Sequence, residues 1–247
     1  SCESDSSETE PEITYNEVYI HGIITDVYSN ERINGATITW QDYIDGEGTM
    51  QSESTNSNGY YSISTLCQDT EHEIMFSADG YATVTHHFTN TSADQDADIQ
   101  LDFSMYKSAS TLKGRVWLKQ DENTIVTKAG IAIFAEASNP LNLAQASFTP
   151  KVFKAYTDSS GIYEIKNIPG DGIVYTITMN QFQEGNYIYA NGEILTGRGI
   201  QHEETFVMSD LVIQGTDIEA PIIVGTNFND GQYADGQLYE DEDFELE

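Results

Sequence analysis

Basic residues are scarce in this chain of 247 residues. It has 10 lysines and arginines against 41 aspartates and glutamates, which gives a formal net charge of −31 at pH 7. Because nucleic-acid binding needs a cationic surface, this composition argues against a nucleic-acid partner. An acidic surface keeps a protein soluble and makes its copies repel one another, and bound divalent cations would relieve that repulsion. Solubility alone explains the charge as well as cation binding does.

Long hydrophobic runs are also missing. No unbroken apolar segment approaches the ~20 residues that a helix needs to span a bilayer. No signal peptide is present, as expected for a mature secreted chain from which it has been removed. The sequence has no Gly-x-Ser-x-Gly motif, no His-Glu-x-x-His motif and no phosphate-binding loop. We therefore predict that the protein is not an enzyme.

Only two cysteines occur, Cys2 and Cys67. In an oxidising compartment they can form a disulfide, within one chain or between two. Cys2 has a second interpretation, because a cysteine followed by the polar and acidic residues 3–5 resembles the lipid-carrying start of a bacterial lipoprotein. Ser1 argues against lipidation, since the modified cysteine should come first. We predict the disulfide, with lipidation of Cys2 as the alternative.

One short motif occurs twice. Residues 55–63 read Thr-Asn-Ser-Asn-Gly-Tyr-Tyr-Ser-Ile, and residues 157–165 read Thr-Asp-Ser-Ser-Gly-Ile-Tyr-Glu-Ile. Gly59 and Gly161 suit a tight hairpin turn, because glycine reaches positive φ without steric cost. The alternating apolar residues that follow can occupy one face of a strand. Two copies with matching flanks indicate a duplicated β domain.

The rest of the chain also has the pattern of strands. Short alternating segments rich in tyrosine, threonine, isoleucine and valine are separated by turn residues, and no segment has a sustained helical period. This pattern predicts an all-β protein with a first domain over 17–107 and a second over 108–213. An acidic N-terminal tail over 1–16 and an acidic C-terminal strand or tail over 214–247 flank them.

These motifs resemble tandem carboxypeptidase-regulatory-like domains, which have the transthyretin-like (prealbumin-like) β-sandwich. In the first unit the resemblance lies in Gly22, Gly35-Ala36-Thr37-Ile38, residues 55–63 and Gly80-Tyr81. In the second it lies in Gly114, residues 129–133 and residues 157–165, with the Gly-Ala order reversed and no obvious Gly-Tyr pair near Met179. The resemblance implies two tandem sandwiches, and it is poorly specific for function.

Two acidic groups are candidate calcium sites. Asp94, Asp96 and Asp98 alternate in a loop ahead of a strand, where mutual repulsion favours a bound cation. Asp42, Asp45 and Glu47 form a second group beside two glycines. Solvated acidic loops are the competing interpretation of both groups.

The function that these features predict is structural. We expect a non-enzymatic extracellular or bacterial cell-surface protein, a filament subunit with bound calcium. It would assemble head to tail by β-strand addition, with residues 215–247 as the expected donor. The alternative is a lipid-anchored bacterial surface module for adhesion, which would bind a glycan or a protein on its loops or on Trp40, Trp117 and Tyr187-Ile188-Tyr189. An accessory domain pair of a larger enzyme is the weakest hypothesis.

Overall fold

The computed structural model describes residues 17–44, 47–66, 70–90, 97–140, 145–190 and 193–218. All regular structure in these ranges is β, which confirms the predicted fold class. None of the described segments forms a helix with the length and hydrophobicity of a membrane span.

The strands follow one another closely along the chain. The earlier ones are β1 (Glu17–Asp26), β2 (Thr37–Ile44), β3 (Glu47–Ser54), β4 (Tyr60–Leu66), β5 (Thr70–Ser77), β6 (Val84–Asn90), β7 (Asp98–Gln100) and β8 (Phe103–Met105). The later ones are β9 (Ser110–Lys119), β10 (Ile125–Val126), β11 (Ala132–Ala137), β12 (Ala146–Phe148), β13 (Val152–Tyr156), β14 (Ile162–Ile168), β15 (Tyr175–Met179), β16 (Phe182–Glu184), β17 (Tyr187–Tyr189), β18 (Ile194–Leu195), β19 (Thr205–Val207) and β20 (Leu211–Asp217).

The chain forms two compact units. The first comprises the described residues up to Ala109 together with Ser138–Lys151 and Pro169–Ile173, and the second comprises the remaining described residues from Ser110. The predicted second domain, 108–213, therefore differs from the second unit. The reason is that β12, within Ser138–Lys151, pairs antiparallel with β6 of the first unit.

The first unit is built from two sheets. In one sheet β1 pairs antiparallel with β4 on one side and parallel with β7 and β8 on the other. The other sheet has the order β12-β6-β5-β2-β3. Their inward rings meet in the core, where Phe76 stacks on Phe103 with centroids 4.5 Å apart and contacts the edge of the Tyr61 ring at 5.7 Å. Burial of such rings is the main contribution to the stability of this core.

The second unit repeats the pairing of the first. Strand β9 takes the place of β1, with β14 antiparallel on one side and β19 and β20 parallel on the other. A separate sheet has the order β13-β11-β15-β18. Strand β20 continues to Asp217, because Gln214 pairs with Lys119 of β9 and residues 215–217 pair with β17. The predicted boundary between residues 213 and 214 thus lies inside a strand.

The threonine that opens each repeated motif hydrogen-bonds to an earlier turn, which lies ahead of β2 in the first unit and ahead of β11 in the second. In the first unit Thr55 Oγ1 accepts a hydrogen bond from the Ala36 amide at 2.9 Å and donates one to the Ile33 carbonyl at 2.7 Å. In the second unit Thr157 Oγ1 accepts from the Ile131 amide at 3.0 Å. It donates to the Lys128 carbonyl at 2.6 Å. Each buried hydroxyl therefore satisfies two backbone groups.

These bonds also show which glycines of the two units correspond, namely Gly35 ahead of β2 and Gly130 ahead of β11. Gly35 and Gly130 have φ of +73° and +83°, and each is followed by the residue whose amide donates to the motif threonine. Gly130 therefore corresponds to Gly35, and Ile131 takes the place of Ala36. The apparent reversal of the Gly-Ala pair is a replacement of the alanine by isoleucine.

The buried carboxylate of Asp26 joins a turn of the first unit to the Gly80-Tyr81 pair by hydrogen bonds. Asp26 accepts hydrogen bonds from the Tyr28 and Ser29 amides, both at 2.8 Å, and from the Tyr81 hydroxyl at 2.8 Å. Burial raises the pKa of Asp26, but these hydrogen bonds and the charge of Lys107 outweigh it and hold that pKa below the ordinary 3.8. Burial first, and then this hydrogen bond, raise the pKa of Tyr81 to about 12.

Replacement of this carboxylate should make the stability of the first unit less dependent on pH. A carboxyl group whose pKa is lowered by folding stabilises the fold above its unfolded pKa, and the stabilisation is lost as the pH falls through the folded value. We expect Asp26→Asn to lower the free energy of unfolding by about 1.5–3 kcal/mol at neutral pH and by less in strong acid. Guanidinium unfolding of the unmodified protein and of Asp26→Asn, from neutral pH to strong acid, measures the difference. An equal loss at neutral and acid pH would contradict this account.

Candidate functional site

The first predicted calcium group is only partly within the described residues. Asp98 begins β7, and its Oδ1 lies 3.2 Å from Nε2 of His21 on the adjacent β1. Asp94 and Asp96 lie outside the described residues. The one carboxylate of this group that is described therefore already faces an imidazole.

The second predicted group is similarly divided. Asp42 accepts hydrogen bonds from the Trp40 indole at 3.3 Å and from the Thr65 hydroxyl at 2.7 Å. Glu47 is exposed at the start of β3, and Asp45 lies outside the described residues. In the described ranges no three histidine, cysteine, aspartate or glutamate side chains are grouped so that they could hold a metal ion. The predicted calcium sites thus stay predictions.

Strand pairing nevertheless brings the described members of the two groups, Asp42, Glu47 and Asp98, to the same end of the first unit. Ile44 at the end of β2 pairs with Glu47 at the start of β3, and Asp98 at the start of β7 pairs with Tyr19 near the start of β1. The end of β4 pairs with the start of β1, and the end of β6 pairs with the start of β5. Cys2 and Cys67 both lie outside the described residues.

The three histidines of β5 and β6 occupy different environments. His87 Nδ1 lies 3.4 Å from Glu71 Oε1 and 3.5 Å from Glu73 Oε1, and this imidazole borders a polar cleft of about 460 Å³. His86 lies on the opposite face of β6, as alternation predicts, and burial followed by the charge of His87 lowers its pKa.

The third of these histidines lies in the core. His72 is 2% exposed and stacks on Phe88, and neither of its ring nitrogens has a hydrogen-bond partner. It lies two residues from the buried Ile74, and this spacing places its side chain on the apolar face of β5.

Two of the aromatic residues predicted, in the alternative function, to bind a glycan or a protein are buried. Trp40 is only 8% exposed, and Tyr189 is fully buried. The structure thus corrects their assignment as exposed binding residues, because both side chains contribute to the core. Trp117 is half-buried on β9, where its indole donates to Asp210 at 2.7 Å.

The two edges of the five-stranded sheet in the first unit differ. At one edge β12, from a distant part of the sequence, lies beside β6, with Ala146 opposite His86 and Phe148 opposite Val84. At the other edge β3 pairs with β2 over all eight of its residues without a break in register. Every residue of β3 is exposed, and no strand among the described residues pairs with its outer side. An open, regular edge of this kind is a template for pairing with another strand.

Comparisons with known proteins agree with the fold of the first unit. Residues 19–105 match the family model of the carboxypeptidase regulatory-like domain. No curated protein matches the chain.

Several solved structures are similar to the chain at low identity. They include GBS52, the minor pilin in the Gram-positive pathogen Streptococcus agalactiae, at 12% identity, with 84% of this chain and 99% of that chain covered and a TM-score of 0.42. A streptococcal ancillary pilin has 10% identity, coverage of 81% and 62%, and a TM-score of 0.41. Catechol 1,2-dioxygenase from Acinetobacter radioresistens has 14% identity, coverage of 42% and 55%, and a TM-score of 0.31. The family match confirms, for residues 19–105, the resemblance carried by the glycine and tyrosine motifs of the first unit.

Proposed function

We propose that this chain is a non-enzymatic extracellular structural subunit that assembles head to tail by addition of a β-strand from one copy to a sheet of the next. The observation that supports this most is the open edge of β3. Its eight residues contain no proline and no lysine, two of the devices that proteins use to block unwanted edge pairing. Its unbroken register with β2 also means that no bulge twists the edge away.

The opposite edge of the same sheet supports the proposal. Strand β12 is added to β6 through three residue pairs, and further backbone bonds join His87 to Gln145 and Thr149 to Thr83. This sheet thus takes up a short strand from a distant part of the sequence at one edge. With that edge filled, β3 is the edge left for a strand from a second copy.

The donor segment is narrower than the sequence predicts. Residues 215–217 pair with β17 of their own chain, so they are not free for donation. We place the donor strand at residues 221–225, which read Pro-Ile-Ile-Val-Gly. An apolar β-branched run of this kind suits strand pairing. Because donor and acceptor are different surfaces, the interface is heterologous, and repetition without closure gives a filament.

Bound calcium is the second part of the proposal. Subunits that each have a net charge of −31 repel one another, and a cation at the acidic end of the first unit would reduce that repulsion. The residues proposed to hold it are Asp94, Asp96, Asp98, Asp45 and Glu47. Asp42 is less suited, because both of its carboxylate oxygens already accept hydrogen bonds.

Electron microscopy and sedimentation of the full chain in calcium and in EDTA test this function. We expect filaments in calcium and shorter polymers or single subunits in EDTA. Ile222→Asp with Val224→Asp should abolish the polymers, because charge on a donor strand prevents its burial. Leu238→Asp with Leu246→Asp is the matched control, since it adds the same charge outside the donor. Single particles of uniform size in both calcium and EDTA would contradict the proposal.

A further inference from the structure

The outward face of β9 in the second unit is the most basic surface in an otherwise acidic chain. Residues of β9 alternate between buried and half-buried, and the half-buried positions include Lys113, Arg115, Trp117 and Lys119. We call these four residues the basic face. Three of the 10 basic residues of the chain thus project from one side of a single strand. Val212 of the adjacent β20, which is 55% exposed and pairs with Trp117, extends this surface with an apolar patch.

The cations of the basic face have few acidic neighbours. Glu164 lies opposite Lys113 in the strand pairing, and the pKa of Asp121 is lowered first by hydrogen bonds from Asn123 and Thr124 and last by the charge of Lys119. Among the described residues, Lys113, Arg115 and Lys119 form no ion pair, whereas the neighbouring Lys166 lies 3.1 Å from Glu164. The Arg115 guanidinium lies 5.2 Å from the centre of the Trp117 ring, which leaves its charge unneutralised. These side chains can therefore accept carboxylates from another segment.

The duplicated first unit shows that this charge is not required by the fold. Gly22 of β1 pairs with Tyr61 as Gly114 of β9 pairs with Tyr163, so the two strands can be aligned residue by residue. The positions of Lys113, Arg115 and Trp117 are then held by His21, Ile23 and Thr25. An equivalent strand forms without a single lysine or arginine, so the basic face has another role.

The acidic segment at residues 238–247 has the complementary chemistry. It reads Leu-Tyr-Glu-Asp-Glu-Asp-Phe-Glu-Leu-Glu, with six carboxylates, two aromatic rings and no basic residue. In an extended segment alternate residues lie about 6.6 Å apart, which matches the spacing of Lys113 and Arg115 on β9. Its aromatic and leucine side chains can pack against Trp117 and Val212.

The route of the chain favours capture of this segment by its own molecule. Strand β20 runs parallel to β9 and brings Gln214 beside Lys119, and the described chain ends four residues later at Ile218. The 19 residues of 219–237 can extend to roughly 60 Å, which exceeds the roughly 33 Å length of β9. A tethered segment also has an effective concentration in the millimolar range.

We propose that the basic face binds residues 238–247 of its own chain. The contact neutralises part of the acidic charge and holds this segment against the second unit. It is independent of the proposed assembly, because the donor run at 221–225 lies outside the bound segment.

Zero-length carbodiimide cross-linking of the full chain tests this inference. A mixture of ¹⁵N-labelled and unlabelled chains is cross-linked at low salt, and the lysine–carboxylate links are mapped by mass spectrometry. We expect Lys113 and Lys119 to be linked to residues 240–247, with both linked peptides carrying the same isotope. Links of mixed isotope would show that a second copy is the occupant. No links to these lysines, or equal labelling of Lys151 and Lys154, would show that the basic face is not a specific site. Each of these results would overturn the inference.

A synthetic peptide of residues 238–247 provides a second measurement. We expect it to bind a full-length variant whose six tail carboxylates are changed to amides at least about tenfold more tightly than it binds the unmodified chain, where the tethered segment competes. Lys113→Gln with Lys119→Gln in that variant should remove binding. Lys151→Gln with Lys154→Gln, which changes the net charge equally, should leave it. Equal binding to the amide variant and the unmodified chain would contradict capture in the same molecule. If the unmodified chain formed no filaments but the peptide still bound the amide variant, only the proposed assembly would be contradicted.

Discussion

Gly22→Ala is expected to unfold the first unit under conditions in which the second unit stays folded. An added Cβ at Gly22 would lie 2.1 Å from the Leu101 carbonyl oxygen and 2.6 Å from its carbon. Both atoms belong to the backbone, so no side-chain rotation relieves the overlap. The same segment is held to β1 by the Leu101 amide, which donates to the His21 carbonyl at 2.8 Å. Separation of these two segments should cost more than about 3 kcal/mol.

The matching glycine of the second unit makes a useful comparison. A Cβ at Gly114 would lie 2.5 Å from the Tyr163 hydroxyl oxygen and 2.8 Å from a carbon of its ring. Here the obstacle is a side chain, so Gly114→Ala should be rescued when Tyr163 is replaced by leucine. Gly35→Ala is the control for backbone strain alone, because Gly35 has φ of +73° and open space around its Cβ position. It should cost only about 1 kcal/mol.

Guanidinium unfolding followed by tryptophan fluorescence measures these losses separately. Trp40 lies in the first unit and Trp117 in the second, so single-tryptophan variants report on one unit each. Gly22→Ala should shift only the transition reported by Trp40. A free energy of unfolding within about 1 kcal/mol of the unmodified protein would contradict the close approach of Leu101 to β1.

Thr55→Val should remove about 2–4 kcal/mol from the stability of the first unit. Valine keeps the shape of threonine, but it leaves the Ala36 amide and the Ile33 carbonyl without the hydroxyl that satisfies both. Thr157→Val should have a similar effect on the second unit, because its hydroxyl makes the corresponding pair of bonds. We therefore expect a similar loss of stability in each of the two units.

Serine provides the matched control for this prediction. Thr55→Ser and Thr157→Ser retain the hydroxyl and should cost less than about 1 kcal/mol. Chemical unfolding with the two single-tryptophan reporters distinguishes the units. If valine and serine variants unfolded at the same denaturant concentration, the hydroxyl would have no role beyond filling space.

The repeated motif is the part of the fold that local sequence describes best. Its Asx residue and its glycine act within a few residues, whereas its threonine bonds to backbone groups 19 to 29 positions earlier. Asn56 Oδ1 accepts from the Asn58 and Tyr60 amides, and Asp158 Oδ1 accepts from the Ser160 and Ile162 amides. Such bonds form wherever the motif occurs, so the hairpins and the β class follow from the sequence.

Contacts between distant segments could not be predicted in the same way. Nothing in the local pattern of Ala146–Phe148 shows that these residues pair with β6, more than fifty residues earlier. The hydrogen bond between Thr65 and Asp42 likewise spans 23 positions. It engages a carboxylate that sequence analysis predicted as a calcium ligand. Strand β20 continues through Asp217 because it pairs with β17, and this pairing is also a contact between distant segments.

Disulfide trapping between two separately made chains tests the proposed assembly most directly. One chain carries cysteine at one of residues 49–52 of β3, the other carries Ile223→Cys, and serine replaces Cys2 and Cys67 in both. The account predicts an oxidised heterodimer for at least one position of β3, because residues opposite each other on paired strands have Cβ atoms about 4.5–5.5 Å apart. Cysteines at 146–148 of β12 should give none. The absence of a heterodimer at every β3 position, under conditions in which the chains self-associate, would contradict strand addition at this edge.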